Sequence, residues 1–221
     1  MRIPNMSKVR KNDFDDRDYE IKRIKYYTKA DGIYYDLSDE KTKTAYIHYI
    51  EKIVRSSIEY SDFMKFLKEN LKLNRCTYFK NVSKDEIKNI SIEIHHSPFT
   101  LFDLCLITLL KHMDECRPIN VFSIAEEVLY KHYCGDIGLV PLSKTVHELV
   151  HANQIFIPIN SVYGDVGKYY LEHREYMTEL QKETLLKIIN ATEELEKAVP
   201  HILKKKFIYL DVDGMTLPKL I

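Results

Sequence analysis

A chain of 221 residues with 45% hydrophobic content is long enough to bury a core without disulfide staples, and no run approaches the ~18 apolar residues of a membrane span. Lysine plus arginine and aspartate plus glutamate both number 33, and this zero formal charge excludes a polycation that holds DNA by general attraction. Any nucleic-acid contact has to come from local patches such as Lys8, Arg10 and Lys11, the stretch around Lys72 and Arg75, or Lys204 to Lys206.

Cys76, Cys105, Cys116 and Cys134 form no C-x-x-C pair and read as reduced packing residues, and the N-terminal stretch has no apolar leader core. A cytoplasmic protein is expected. After a polar first dozen residues, Tyr19 to Tyr27 and Ile33 to Leu37 flank Ala30-Asp31-Gly32, which predicts a hairpin. From Lys41, the residues Tyr46, Ile50, Ile53 and Val54 recur at helical spacing, and Tyr60-Ser61 leads into a second helix through Phe63, Phe66, Leu67 and Leu71.

Cys76 to Phe79 is a strand candidate, and Ile90, Ile92 and Ile94 alternate with the period of a half-buried strand that ends in His95-His96. Residues 97–137 read as two helices. Thr100 with Asp103 gives a capping signal before an almost wholly apolar run to Met113, and Ser123 with Glu126 repeats the signal before a helix that stops at Gly135. His112 and His132 ride on these helices in packing or surface roles.

The stretch GLVPLSKTVHELVH, Gly138 to His151, reads as a short buried strand and then a helix with Ser143 as N-cap. Positions i and i+4 share a helix face, so His147 and His151 point the same way and can share one metal ion. Ile155 to Ile159 reads as a further strand. A helical period from Lys168 to Ala198, at Tyr169, His173, Tyr176, Leu180, Thr184, Ile188, Thr192 and Leu195, predicts one long amphipathic helix or two in series. FIYLDVDGMTLPKLI reads as a terminal hairpin.

Alternation along a strand sends neighbouring side chains to opposite faces, so His95 and His96 cannot both face one ion. That separation is what a hydrolytic site needs, with one histidine on a metal and its neighbour free to activate water; the alternative is a pair of histidines in a polar network at a strand end.

Taken together, IEIHHSPF and GLVPLSKTVHELVH resemble the HNH, or ββα-metal (His-Me finger), nucleases, in two blocks covering about 30 residues. The resemblance implies an α+β fold with a ββα-metal core, a two-helix insertion over 99–135, an N-terminal hairpin and helical layer, and a long C-terminal helix. With the elements read along the chain, segment boundaries are expected at 1–75, 76–160 and 161–221. The resemblance also implies that His95, His147 and His151 bind one divalent ion (Zn, Mg, Mn or Ni), that His96 is the general base, and that the substrate is nucleic acid, most simply DNA. A phage or mobile-element origin would fit such a chain, with host cytoplasm as its compartment.

Gly138 stands where the family has an asparagine that helps to hold the loop carrying the base, and Asp136 is a candidate substitute for it. Ser143 and Val146 stand where some members carry cysteines for an added zinc, so no second metal is expected.

HELVH is also an H-E-x-x-H string, the signature of a zinc protease with Glu148 as base and Glu172 or Glu175 as the third ligand. That reading leaves His95-His96 unexplained. A third reading is a catalytically impaired descendant of the nuclease fold that keeps the metal to hold its core and binds a partner.

Overall fold

A computed structural model describes residues 27–79 and 91–198. In chain order it contains strands β1 (Tyr27–Ala30) and β2 (Ile33–Asp36), helices α1 (Glu40–Ser56) and α2 (Ile58–Glu69), strand β3 (Ile92–His96), helices α3 (Leu101–Asp114) and α4 (Val121–Tyr133), strand β4 (Leu139–Ser143), and helices α5 (Lys144–His151), α6 (Val166–His173) and α7 (Glu179–Ala198). The class is α+β, with two small antiparallel sheets, β1-β2 and β3-β4. Contacts divide the chain into two compact units: residues 27–61 with 101–130, and residues 62–100 with 131–198.

In the first unit the β1-β2 hairpin pairs Tyr27 with Asp36 and Ala30 with Ile33. Asp39 then starts α1 by accepting from Thr42 N at 2.9 Å, one of the backbone donors that a new helix leaves unpaired. Tyr46, Ile47, Ile50 and Val54 form its buried stripe, and α1 packs on α3, whose Leu101, Leu104, Cys105, Ile107 and Leu109 are all buried. Leu106 and Leu110 are half-buried. His112, expected in a packing or surface role, packs in the interior of this unit: Nδ1 lies 2.9 Å from Pro118 O and Nε2 lies 3.0 Å from Glu127 Oε2.

The second unit is organised around β3 and β4, which pair antiparallel with His95 opposite Val140 and His96 opposite Leu139. All five residues of β4 are buried, including Pro141, which would normally break a ladder. Leu139 exchanges both backbone bonds at 2.8 Å with Tyr163, on the edge of β4 away from β3. Two residues on, the nitrogen of Pro141 faces that same edge, so the β3 ladder loses no donor. Its carbonyl there accepts from Thr77 N at 2.9 Å.

Several expectations shift. Cys76 to Phe79 is irregular chain held against β4 by that Thr77 bond, because the edge position it covers offers an acceptor but no donor. The fourth helix starts at Val121 instead of Ser123: Asn120 Oδ1 accepts from Phe122 N at 3.1 Å and Ser123 N at 2.9 Å, so an asparagine cap upstream takes the role. Ile155 to Ile159 does not form a strand. After α5, Asn153 adopts φ +56°, Asn153 N bonds to Val150 O and Gln154 N to Leu149 O. This is a Schellman end that turns the chain toward a 3-10 turn at Ile159–Ser161.

The C-terminal period resolves into α6 and α7 in series. The break at residues 174–178 resets the phase, so α7 buries Gln181, Leu185 and Thr192 and leaves Leu180 exposed. Thr192 Oγ1 accepts from Ile159 N at 3.0 Å, pinning the 3-10 turn to α7. The expected terminal hairpin, the Tyr19 to Tyr26 part of the first hairpin, and the patches at Lys8 to Lys11 and Lys204 to Lys206 lie outside the described residues.

Candidate metal centre and an adjoining histidine pair

Chain order and pairing place β3, β4 and α5 as a strand–strand–helix unit, with the histidines at the end of β3 and on α5. The helix starts at Ser143 as expected, although the serine hydroxyl makes no cap bond and instead lies 3.7 Å from the buried Cys76 thiol. Val146 is the buried anchor of α5, which turns His147 and His151 to the side facing β3.

His95, His147 and His151 each offer a ring nitrogen, and the three donor atoms lie within 4.8 Å of one another. Ring centroids are 5.0 Å apart for His95 and His147, 5.2 Å for His95 and His151, and 4.5 Å for the helix pair. The facing Nε2 atoms of His147 and His151 are 3.0 Å apart, close to the ~3.3 Å that ~2 Å metal bonds in a tetrahedron would set. His151 is exposed and the other two are half-buried, so the cluster opens to solvent on one side.

Glu93 also belongs to this site, and sequence reasoning passed over it. It lies two residues before His95 on the same strand face, and its Oε2 is 2.5 Å from His147 Nδ1. A carboxylate on Nδ1 holds the proton there and leaves Nε2 as the metal-facing lone pair, the usual arrangement around a metal-binding imidazole. The signal was present in the I-E-I-H-H alternation, but it identified only the face and not the partner on the helix.

Burial pushes the His95 pKa down to about 4, and the positive charge that His147 and His151 can carry adds to the shift. Its imidazole is therefore neutral at pH 7, and protons compete with a metal for this ligand only in acid. We expect Glu93→Gln to weaken zinc binding by about 10–100-fold, as measured by competition with a chromophoric chelator. Unchanged affinity would show that Glu93 is a bystander.

His96 faces the other way. Its side chain is buried, and Nε2 lies 2.9 Å from Nε2 of His132 in the last turn of α4, with ring centroids 5.2 Å apart. The edge of Phe63 closes over His132 at 5.7 Å. His132, expected in a packing or surface role, thus becomes a direct partner of the residue expected to act as base. Gly135, at φ +73°, ends α4: Gly135 N bonds to His132 O and Asp136 N to Lys131 O.

Gly138 follows at a place with no room for a side chain. A Cβ built there would lie 2.0 Å from Ser97 O and 2.7 Å from Val166 Cγ2. Its carbonyl accepts from Ser97 N at 3.0 Å, so the backbone of residue 138 itself ties down the chain just after His96. Asp136 is not available for that task. It is fully buried, with its carboxylate held by Lys131 at 3.1 Å and Lys168 at 2.8 Å.

The protease ligands do not assemble. Glu172 is ion-paired to Lys131, the Glu148 side chain is 67% exposed and lies 3.9 Å from Lys144, and among the described residues the donor that joins the helix pair is His95.

No helix among the described residues is long and apolar enough to cross a membrane. No curated protein and no solved structure matches the chain. A family model does, over residues 1–212, and it supports the expected phage origin. The chain belongs to the bacteriophage G278-like virion protein family.

Proposed function

We propose that this virion protein is a divalent-metal-dependent endonuclease of the HNH, ββα-metal type that cleaves or nicks DNA, with His95, His147 and His151 holding the ion and His96 as general base. The observation carrying this reading is the convergence of His95 with the α5 pair on one open three-nitrogen cluster. An imidazole donor set suits Zn or Ni better than Mg or Mn, and its open side leaves room for substrate oxygens.

When bound, the ion would neutralise charge developing on the phosphate and on the leaving oxygen. The protein's own groups do the rest. Glu93 fixes the tautomer of His147. His96 accepts a proton from water as the water oxygen bonds to phosphorus; the bond from phosphorus to the leaving oxygen breaks, and that oxygen takes a proton from solvent.

A second reading keeps the metal but not the reaction, with the ion bracing the strand–strand–helix unit in a structural virion component. The burial of His96 and the engagement of its Nε2 by His132 favour it.

Plasmid relaxation with purified protein in Mg, Mn, Ni or Zn, with and without chelator, separates the two. Metal-dependent nicking supports the endonuclease, whereas intact plasmid under every metal, with a thermal shift on adding zinc, supports the structural role. Glu148 sits one residue from His147, turned ~100° around the helix. Glu148→Ala should therefore keep nicking within about twofold, since an exposed side chain off the ligand face adds little to either state. Loss of all turnover in that variant, with casein cleavage by wild type, would move the chemistry to the H-E-x-x-H string.

A further inference from the structure

We propose that Phe79 and Phe156 are a stacking platform for the unpaired bases of single-stranded DNA, placed beside the metal centre. The choice of ligand rests on the endonuclease reading. Tyr78 Oη donates to Phe156 O at 2.6 Å, which fastens residues 78–79 to the chain that leaves α5. Burial pushes the Tyr78 phenol up to about 12, so it remains a donor at neutral pH. Phe79 is 50% exposed and Phe156 41%. Ile155 is half-buried and Ile157 buried, so Phe156 is held outward between two residues that pack inward.

The surroundings select a base as the occupant. The other exposed large apolar side chains among the described residues of this unit, Leu171, Leu180 and Leu186, lie on α6 and α7, so the segments joined by the Tyr78 bond expose aromatic rings and no large aliphatic residue. A base needs only a flat π face, whereas a protein partner would call for a contiguous apolar patch. Asn70 to Phe79 and Leu149 to Gly164 contain no aspartate or glutamate, in a chain where acids number 33 of 221, and the first of these segments presents exposed Lys72 and Arg75. That charge pattern suits a phosphate backbone.

Phe156 follows His151, the exposed metal-site histidine, by five residues, which span at most ~18 Å when extended. At ~3.4 Å per stacked nucleotide, a strand resting on Phe156 needs only a few nucleotides to reach the open side of the cluster. In a duplex the base faces are covered by their neighbours, so the platform serves a single strand or an unpaired end.

The test is fluorescence anisotropy with full-length protein in chelator, where no cutting occurs, using a labelled oligothymidylate of about 12 nucleotides and a duplex of the same length. Wild type should bind the single strand more tightly than the duplex. Phe156→Ala and Phe79→Ala should each raise its Kd by about 5–150-fold, the worth of one stacked base, with thermal melts unchanged because both side chains are exposed. Phe156→Tyr keeps the π face and should stay within about threefold; Phe156→Leu keeps apolar bulk without it and should behave like alanine.

A leucine variant that binds as well as wild type overturns stacking, and a duplex bound as tightly as the single strand overturns the choice of strand. Plasmid nicking without oligothymidylate binding leaves the endonuclease reading standing and removes the platform. Binding that follows residues 79 and 156 as described, in a protein that nicks nothing, leaves the platform standing and removes the endonuclease.

Discussion

His96→Ala is expected to lower metal-dependent nicking by about 10²–10⁴-fold while zinc affinity stays within about twofold of wild type, because removing a general base leaves the ligand set untouched. The separation is built into β3, where successive side chains leave on opposite faces. His95 joins His147 and His151, and His96 turns inward to His132. Stability should fall by about 1–3 kcal/mol, since the substitution strips His132 of a buried partner and leaves a small void.

Calorimetric zinc titration, thermal melts and plasmid relaxation on the same preparation check all three effects. Nicking that survives in His96→Ala would remove His96 from the mechanism and would leave its contact with His132 as a packing feature. His96→Gln keeps a polar group near His132, so equal loss of nicking in both variants would tie the defect to chemistry and exclude a folding cause.

What could be read before the structure was whatever local periodicity encodes. The period of two in Ile92 and Ile94 located β3, and the i, i+4 spacing set His147 and His151 on one side of α5. The convergence of His95 with that pair is non-local, and the expectation came from resemblance, not from spacing. Glu93 and His132 were out of reach for a related reason. Glu93 acts through a helix packed across its strand, and His132 meets His96 from 36 residues away, a contact no helical or strand period can announce.

The phase of α7 failed differently. One apolar stripe was carried through Tyr176 and Leu180, but the chain leaves the helix between α6 and α7, and a helix that restarts has no memory of the earlier angle. Leu180 ended outward and Gln181 inward, where Gln181 Oε1 accepts from Thr178 N at 3.0 Å and caps the new helix from inside. The strand expected at Ile155 failed because a Schellman end at Asn153 uses up the turn that would have let the chain run straight.

Gly138→Asn, which installs the residue that the HNH nucleases carry at the position it resembles, should cripple the protein instead of improving it. By resemblance the substitution restores a group that steadies the base-bearing loop. By geometry it places a Cβ 2.0 Å from the carbonyl oxygen of Ser97, which is backbone and cannot rotate away, and within 2.8 Å of methyl groups on both Val162 and Val166. A contact that short forces β3 and β4 apart at their ends, breaking the Ser97–Gly138 bond and disturbing the Tyr163–Leu139 pair beside it.

Overpacking in a rigid interior costs about 1–3 kcal/mol, and a clash with the Ser97 backbone together with two valine methyls belongs at or above the top of that range. Chemical denaturation should therefore show Gly138→Asn destabilised by about 3 kcal/mol or more, with zinc binding weakened in proportion because His95 sits at the displaced strand end. Gly138→Ala is the sharper control, since it adds the Cβ and no polar group; it should lose nearly as much. An asparagine variant as stable as wild type and faster at nicking would mean that the strand ends yield to the larger residue, and that the backbone bond from Ser97 to residue 138 is not what holds His96 in place.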